Sequence, residues 1–344
     1  MSTRVHVLRP VRKVRLLAVV AALFLAVTVV PATAAGADGH IRVTYSWTEP
    51  TEGIAIDKVG NIFVSHGAAG ELWKIAPGAA GPEVFGTVDG IDAAAGDLGL
   101  LGLAVDAPGN IYATVVSFTN PDANGVWMFH RKTGEATKAA GSEAIVLGNA
   151  IAFDKVGNMY VTDSAVGGVW IIPVEGGPAE PWIVDEVLAG TGAFGFGVLI
   201  GANGIVYRQG SLYVANTEKG LLVRIPILGD GSAGDASVVL DDAAIFGIDG
   251  IAMDVHGDIY AAVIGQSAVR KVTMGANPTV ETLGEAGPGS PVLDPSSLAF
   301  GTGKGKRSTL VVVNFGLFSQ EAFGEDPRPA IFEIKVGVAG LPLP

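Results

Sequence analysis

Four residues with side-chain oxygens share one register in this chain. Glu52, Asn149, Asn203 and Asp249 each stand five residues before an aligned position of a repeated segment, at Asp57, Asp154, Arg208 and Asp254 respectively. Two carboxylates and two carboxamides, with no histidine or cysteine among them, make an oxygen-only donor set. Such a set suits a hard cation, and calcium in particular accepts a loose shell of roughly six to eight oxygens. Zinc favours nitrogen or sulfur. Crowded carboxylates without a cation would repel one another. Asn-Gly, Asp-Gly and Glu-Gly pairs are also turn formers, and turn chemistry accounts for Asn61, Asn110, Asn158 and Asp258. It explains neither Glu52 nor the common register, so Glu52, Asn149, Asn203 and Asp249 are expected to be calcium ligands.

The elements that must position them are visible as repeats. "EGIAIDKVGNIFV" from Glu52, "LGLAVDAPGNIYA" from Leu101, "NAIAFDKVGNMYV" from Asn149, "NGIVYRQGSLYV" from Asn203, "DGIAMDVHGDIYA" from Asp249 and a diverged "SSLAFGTGKGKRSTLVV" from Ser296 start 46 to 54 residues apart. Each is an apolar alternating run, a Gly-bearing turn and a second β-rich run, which is a hairpin signature. A third run follows, such as "ELWKIA" from Glu71 or "GVWIIP" from Gly168. A weaker fourth is expected, for example "EAIVLG" from Glu143 and "ASVVLD" from Ala236. Six such units predict an all-β fold, a six-bladed β-propeller with four strands per blade. The run "IRVTYSW" from Ile41 has no partner in its own unit and is expected to close the ring as the outer strand of the last blade. The shared position, taken to precede the innermost strand of each blade, then puts all four oxygens at one end of the central channel.

Composition narrows the classes further. The 49 glycines have no three-residue period, which excludes collagen, and the 49% hydrophobic content excludes a disordered chain. The net charge of −12 and the lack of a basic stripe argue against nucleic acid. Arg4, Arg9, Arg12, Lys13 and Arg15 precede an apolar run from Leu16 to Val30 and the small residues Ala32-Thr33-Ala34. This reads as a signal peptide over residues 1–34, its apolar run being shorter than the ~20 residues of a membrane span. A secreted protein with residues 35–344 as one propeller and no stable membrane anchor is expected. It has no cysteine, so packing, ring closure or a metal must stabilise it.

The segments "EGIAID", "NAIAFDKVGNMYVTDS", "NGIVYRQGSLYVAN" and "DGIAMD", with their blade order Glu, Asn, Asn, Asp, resemble the SMP-30/gluconolactonase/LRE-like proteins. Paraoxonase-type and diisopropylfluorophosphatase-type hydrolases are their relatives. The resemblance implies a calcium ion in the central tunnel held by Glu52, Asn149, Asn203 and Asp249. It also implies Asp249 as nucleophile or general base, and hydrolysis of a small-molecule lactone or other ester. The second unit departs from the pattern. Leu101 occupies the shared position, and "AGDLGLLGLAVD" from Ala95 lacks the sugar-contacting Arg and Asn of gluconolactonase-like members and the His base of paraoxonase-like ones.

Phe194, Phe196, Phe315 and Phe318 fall on expected loops, where they either line an apolar substrate pocket or pack beneath those loops. His66 and His130 end strands, where a base could stand, although solvated loop histidines are commoner. Asp163 and Ser164 read as loop residues, and no nucleophile elbow is present. Two further readings compete with the hydrolase. One is a non-catalytic, NHL-like propeller that uses calcium for stability. The other is a quinoprotein-type dehydrogenase, prompted by "GLLGLAVD" from Gly99 but lacking the following His. A strictosidine-synthase-like condensation is compatible with the fold and needs no such ligand set.

Overall fold

Alternating apolar and polar residues make strands of the repeated runs, and Gly-containing turns pair them. A computed structural model of the protein describes residues 41–46, 50–287, 290–316 and 329–344. The expected signal peptide over 1–34 lies outside the described residues. The strands form six antiparallel sheets of four strands. Blade 1 comprises Ile54–Ile56, Ile62–His66, Glu71–Ile75 and Glu83–Thr87. The inner strands of blades 2 to 5 are Gly99–Val105, Gly148–Phe153, Ala202–Arg208 and Ile248–Met253. Each inner strand contacts that of the next blade, and Pro295–Phe300 of blade 6 contacts Ile54–Ile56, so the ring is closed. Among the described residues no helix is long and apolar enough to cross a membrane.

Closure uses the strand expected for it. Ile41–Ser46 pairs antiparallel with Ala330–Lys335, from Ile41 opposite Ile334 to Ser46 opposite Ala330. The Tyr45 hydroxyl donates to the Ala79 carbonyl of blade 1 at 2.8 Å. The core lies between blades. Phe63 and Leu72 of blade 1 pack on Ile111, Ala113 and Phe129 of blade 2, while Val64 and Ile75 meet Val311, Val313 and Ile331 of blade 6. No blade buries both of its faces alone.

One expected outer strand is not a strand. "EAIVLG" begins in a 3-10 turn at Ser142–Ala144 and connects blades 2 and 3, and the outer strand of blade 2 is Ala136–Lys138 instead. Side chains satisfy the connector's backbone. Asn124 Nδ2 donates to the Glu143 and Ile145 carbonyls, and the Asp163 carboxylate accepts from the Val146 and Leu147 amides. Apolar alternation therefore reported burial here and not a ladder. "ASVVLD" does form an outer strand, Ser237–Asp241.

Glycines serve two separate purposes. Gly60, Gly109, Gly157 and Gly257 have positive φ in the hairpin turns. There the carboxylates of Asp57, Asp106, Asp154 and Asp254 accept turn amides, including those of Asn61, Asn110, Asn158 and Asp258. The turn reading of these residues holds. The glycines that follow the shared axial position are of the other kind. A Cβ on Gly53 would lie 2.2 Å from the Leu101 carbonyl oxygen, one on Gly102 2.0 Å from that of Asn149, and one on Gly204 2.3 Å from that of Asp249. Each of these three lets its inner strand touch the next one.

Gly204→Ala forces backbone apart at the axis and is expected to destabilise the protein by about 1–3 kcal/mol or more. Gly229→Ala, where a Cβ meets nothing within 4 Å, is expected to stay within about 0.5 kcal/mol of the parent. Urea unfolding of the two variants checks this, and equal midpoints would contradict it.

Candidate functional site

The position of the four oxygen-bearing residues differs in one respect from expectation. In blades 2 to 6 it lies inside the innermost strand, at a β-bulge, not before the strand. In blade 3, Gly148 faces Asp163 and Ile151 faces Val161, so one extra residue is inserted around Asn149. The same shift occurs between Ala202 and Ile205 around Asn203, and between Ile248 and Ile251 around Asp249. A bulge re-aims a side chain without ending the sheet. Glu52 reaches the equivalent place just ahead of Ile54–Ile56, with its amide donating to the Ser65 carbonyl at 3.2 Å.

The structure brings all four together. Glu52, Asn149 and Asp249 line one axial cavity of about 90 Å³, room for a cation and a few waters, and Asn203, whose side chain hydrogen-bonds to Asp249, stands beside it where Gly204 and Ile205 complete the lining. Asn149, Asn203 and Asp249 are buried, and although Glu52 as a residue is half-buried, its Oε2 is closed from solvent. Asn203 Nδ2 donates to Thr217 Oγ1 at 2.9 Å, which fixes the amide. Glu52 Oε2 and Asn203 Oδ1 are buried acceptors without a hydrogen-bond partner. Burial, and then the charge of Asp249, raise the Glu52 carboxyl well above the usual carboxylate range. Burial pushes Asp249 up to about 7 against the opposing hydrogen bond from Asn203. Two crowded carboxyls and two orphaned oxygens fit a hard cation. Among the described residues no group of three or more His, Cys, Asp or Glu is arranged to hold a metal, since half of this set is amide.

The other two blades explain their departures. Ser296 Oγ donates to the Glu52 carbonyl at 2.8 Å and so ties blade 6 to blade 1. Leu101 packs with Val116 and Leu147, joined by Val198.

Beneath the oxygens lies a feature that sequence reasoning missed. Two residues further along every inner strand stand Ile54, Leu103, Ile151, Ile205, Ile251 and Leu298, all lining the same cavity. This six-fold aliphatic floor offers no polar atoms toward the hairpin end. The segment 339–341 also crosses that end, with the Val255 amide donating to the Ala339 carbonyl and the Leu341 amide to that of Met253. Ligand access is therefore from the loop end, where the inner strands begin. The signal for the floor was present in the same register, two places on.

The remaining candidates fall elsewhere. His130 lies at the opposite end, with its ring Nδ1 3.1 Å from Thr133 Oγ1. His66 is at the loop end but faces Glu71 Oε2 at 3.2 Å and stacks on Trp73, and it does not line the cavity. Asp163 binds backbone amides and the Trp170 indole, and Ser164 Oγ donates to the Ala202 carbonyl. Phe194 packs on Phe196 and Phe246 with ring centroids 5.6 and 5.5 Å away, Phe315 ends the described part of its loop, and Phe318 lies outside the described residues. A larger cavity of about 610 Å³ lies between blades 2 and 3 at the hairpin end. Its carboxylates, Asp106 and Asp154, are occupied by turn amides, so no convergent polar set stands there.

No family model and no curated protein sequence matches the chain. Solved structures do. Luciferin-regenerating enzyme aligns with a TM-score of 0.65 and 14% identity over 88% of this chain and 97% of its own. The calcium-binding protein regucalcin from Agrobacterium tumefaciens gives 0.61 and 18% over 86% and 93%. A gluconolactonase from Xanthomonas campestris gives 0.61 and 14% over 88% and 89%. These neighbours are SMP-30/gluconolactonase/LRE-like six-bladed propellers, and at such identities the likeness shows the shared fold.

The raised carboxyls set a pH dependence. Glu52 and Asp249 hold protons more tightly folded than unfolded, so their contribution is fully present below the unfolded carboxylate range and is lost as pH rises through their raised folded values, about 7 for Asp249. Chelator-treated protein is expected to melt at a lower temperature at pH 8 than at pH 5.5, and Glu52→Gln should shrink that gap. Calorimetric melts at the two pH values measure it, and an unchanged gap in the variant would count against the carboxylate pair.

Proposed function

We propose that the protein is a secreted, calcium-dependent hydrolase of a lactone or another apolar ester. One observation carries the reading: the buried, partnerless Glu52 Oε2 and Asn203 Oδ1, the first lining the axial cavity with Asn149 and Asp249 and the second on the side chain that hydrogen-bonds to Asp249. An orphaned buried acceptor costs about 1–3 kcal/mol, and a cation removes that cost for both at once. Bound calcium would supply the charge that polarises a carbonyl oxygen and stabilises the anion formed on attack.

The chain's own residues do the rest. Glu52, Asn149, Asn203 and Asp249 would hold the ion, and Thr217 fixes the Asn203 amide by accepting from its Nδ2. The aliphatic floor confines water to the loop end. Asp249 either attacks the substrate carbonyl carbon or takes the proton of an attacking water; both roles need a carboxylate at the axis. The fold shared with a gluconolactonase supports the lactone class, and secretion rests on the basic and apolar pattern over residues 1–34. Leu101 favours a second reading, a binding propeller in which the ion is structural, because blade 2 brings no polar side chain to the site.

Chelator-treated protein reloaded with calcium is expected to hydrolyse at least one member of a panel of alkyl and aryl lactones and esters, and to lose that activity again in chelator. Asp249→Asn should lower the rate by about 10²–10⁴-fold. Calcium binding with no turnover across the panel would favour the binding propeller.

A further inference from the structure

The connector between blades 3 and 4 is the longest one described at the loop end, and the amides of Thr191, Gly192 and Phe194 at its tip converge on a single carboxylate. Glu218 is 3% exposed and sits in the turn that follows Ser211–Asn216. Its Oε2 accepts from the Thr191 and Gly192 amides, both at 2.6 Å, and its Oε1 accepts from the Phe194 amide at 3.3 Å. A Cβ on Gly190 would lie 2.8 Å from Oε2, so the loop is pressed onto the carboxylate. Among the described residues no lysine or arginine pairs with Glu218. A buried carboxylate held only by amides fixes a backbone firmly, since each such bond is charge-assisted.

What it fixes is apolar and lies at the loop end of the ring. Phe194 packs on Phe196 and on Phe246, and its ring reaches within 3.5 Å of the place where a Cβ on Gly265 of blade 5 would stand. Phe246 is 37% exposed and lies three residues before Asp249. Further along the same loop, Val198 packs against the cluster containing Leu101 of blade 2. Phe194 thus meets blade 5 while Val198 meets the cluster between blades 2 and 3, so residues 194–198 extend along the loop end from one side of the ring toward the other. Leu101, unfit as a ligand, belongs with Val116 and Leu147 to the cluster against which the far side of this loop packs. Glu218 adjoins Thr217, which orients Asn203, so one turn positions both the oxygen set and the loop over it.

We propose that Glu218 is a positioning residue that holds the 190–200 loop as an apolar roof, which selects ligands carrying an alkyl or aryl arm over small or polyhydroxylated ones. The proposal rests on the hydrolase reading only for the lactone-like head group of the ligand. Unreactive lactams separate the two questions. δ-Decanolactam and δ-valerolactam share a head group and differ by a pentyl arm. Their dissociation constants are measured by calorimetry on the whole calcium-treated protein, for the parent, Glu218→Ala, Glu218→Gln and Phe194→Ala.

The parent is expected to bind the alkylated lactam at least about tenfold more tightly, the scale of partly burying a five-carbon chain. Glu218→Ala and Phe194→Ala should each lose most of that preference, while Glu218→Gln, which keeps a carbonyl acceptor, should keep most of it. A parent without the preference overturns the proposal, as does a folded Glu218→Ala that retains it. If Glu218→Ala fails to fold, Phe194→Ala decides alone, since an undiminished preference there overturns the roof. Preferential lactam binding with no lactone turnover would remove the hydrolase reading and leave the roof standing.

Discussion

Six inner strands meet at one axis, and they come together only because their backbones touch. Where Gly53, Gly102 and Gly204 follow the axial position, the carbonyl of the next blade occupies the space a Cβ would take. Ser296 completes the circuit with a hydrogen bond to Glu52. The bulges beside these contacts in blades 3 to 5 carry Asn149, Asn203 and Asp249, so the same local geometry sets both the closeness of the inner strands and the convergence of these polar groups. With no disulfide available, this contact and the strand exchanged between the termini hold the first and last blades together.

The axis is sharply divided in chemistry. One layer brings two carboxyls and the Asn149 amide into a space of about 90 Å³, with the Asn203 amide bonded to Asp249 beside it, and the next layer is six aliphatic side chains. A polar ring on an apolar floor raises the protonation equilibria of Glu52 and Asp249, because neither water nor a hydrogen-bond donor approaches from below. The same division gives direction to the site. A ligand arriving from the loop end meets the polar layer first, near the segment whose amides Glu218 accepts.

Much of this was legible in the chain. A repeat of four dozen or so residues, with hairpin turns marked by Gly and Asn, specifies blades because alternation and turn chemistry are local. The shared register located Glu52, Asn149, Asn203 and Asp249 for the same reason. The bulge was not legible, since an extra residue in a ladder shows only against its partner strand. The connector at Glu143–Gly148 imitated a strand because burial alone preserves apolar alternation. Glu218 gave no signal, since a lone glutamate in a turn acquires its role from amides more than twenty residues away.

Calcium titration of chelator-treated protein near neutral pH, followed by calorimetry and by melting, tests the axial site most directly. The account predicts one ion per chain, a higher melting temperature with calcium, and affinity reduced in Asn149→Ala by at least about 10–100-fold, the scale already known for outer-shell partners. No binding heat, together with melting indifferent to both chelator and the substitution, would contradict it.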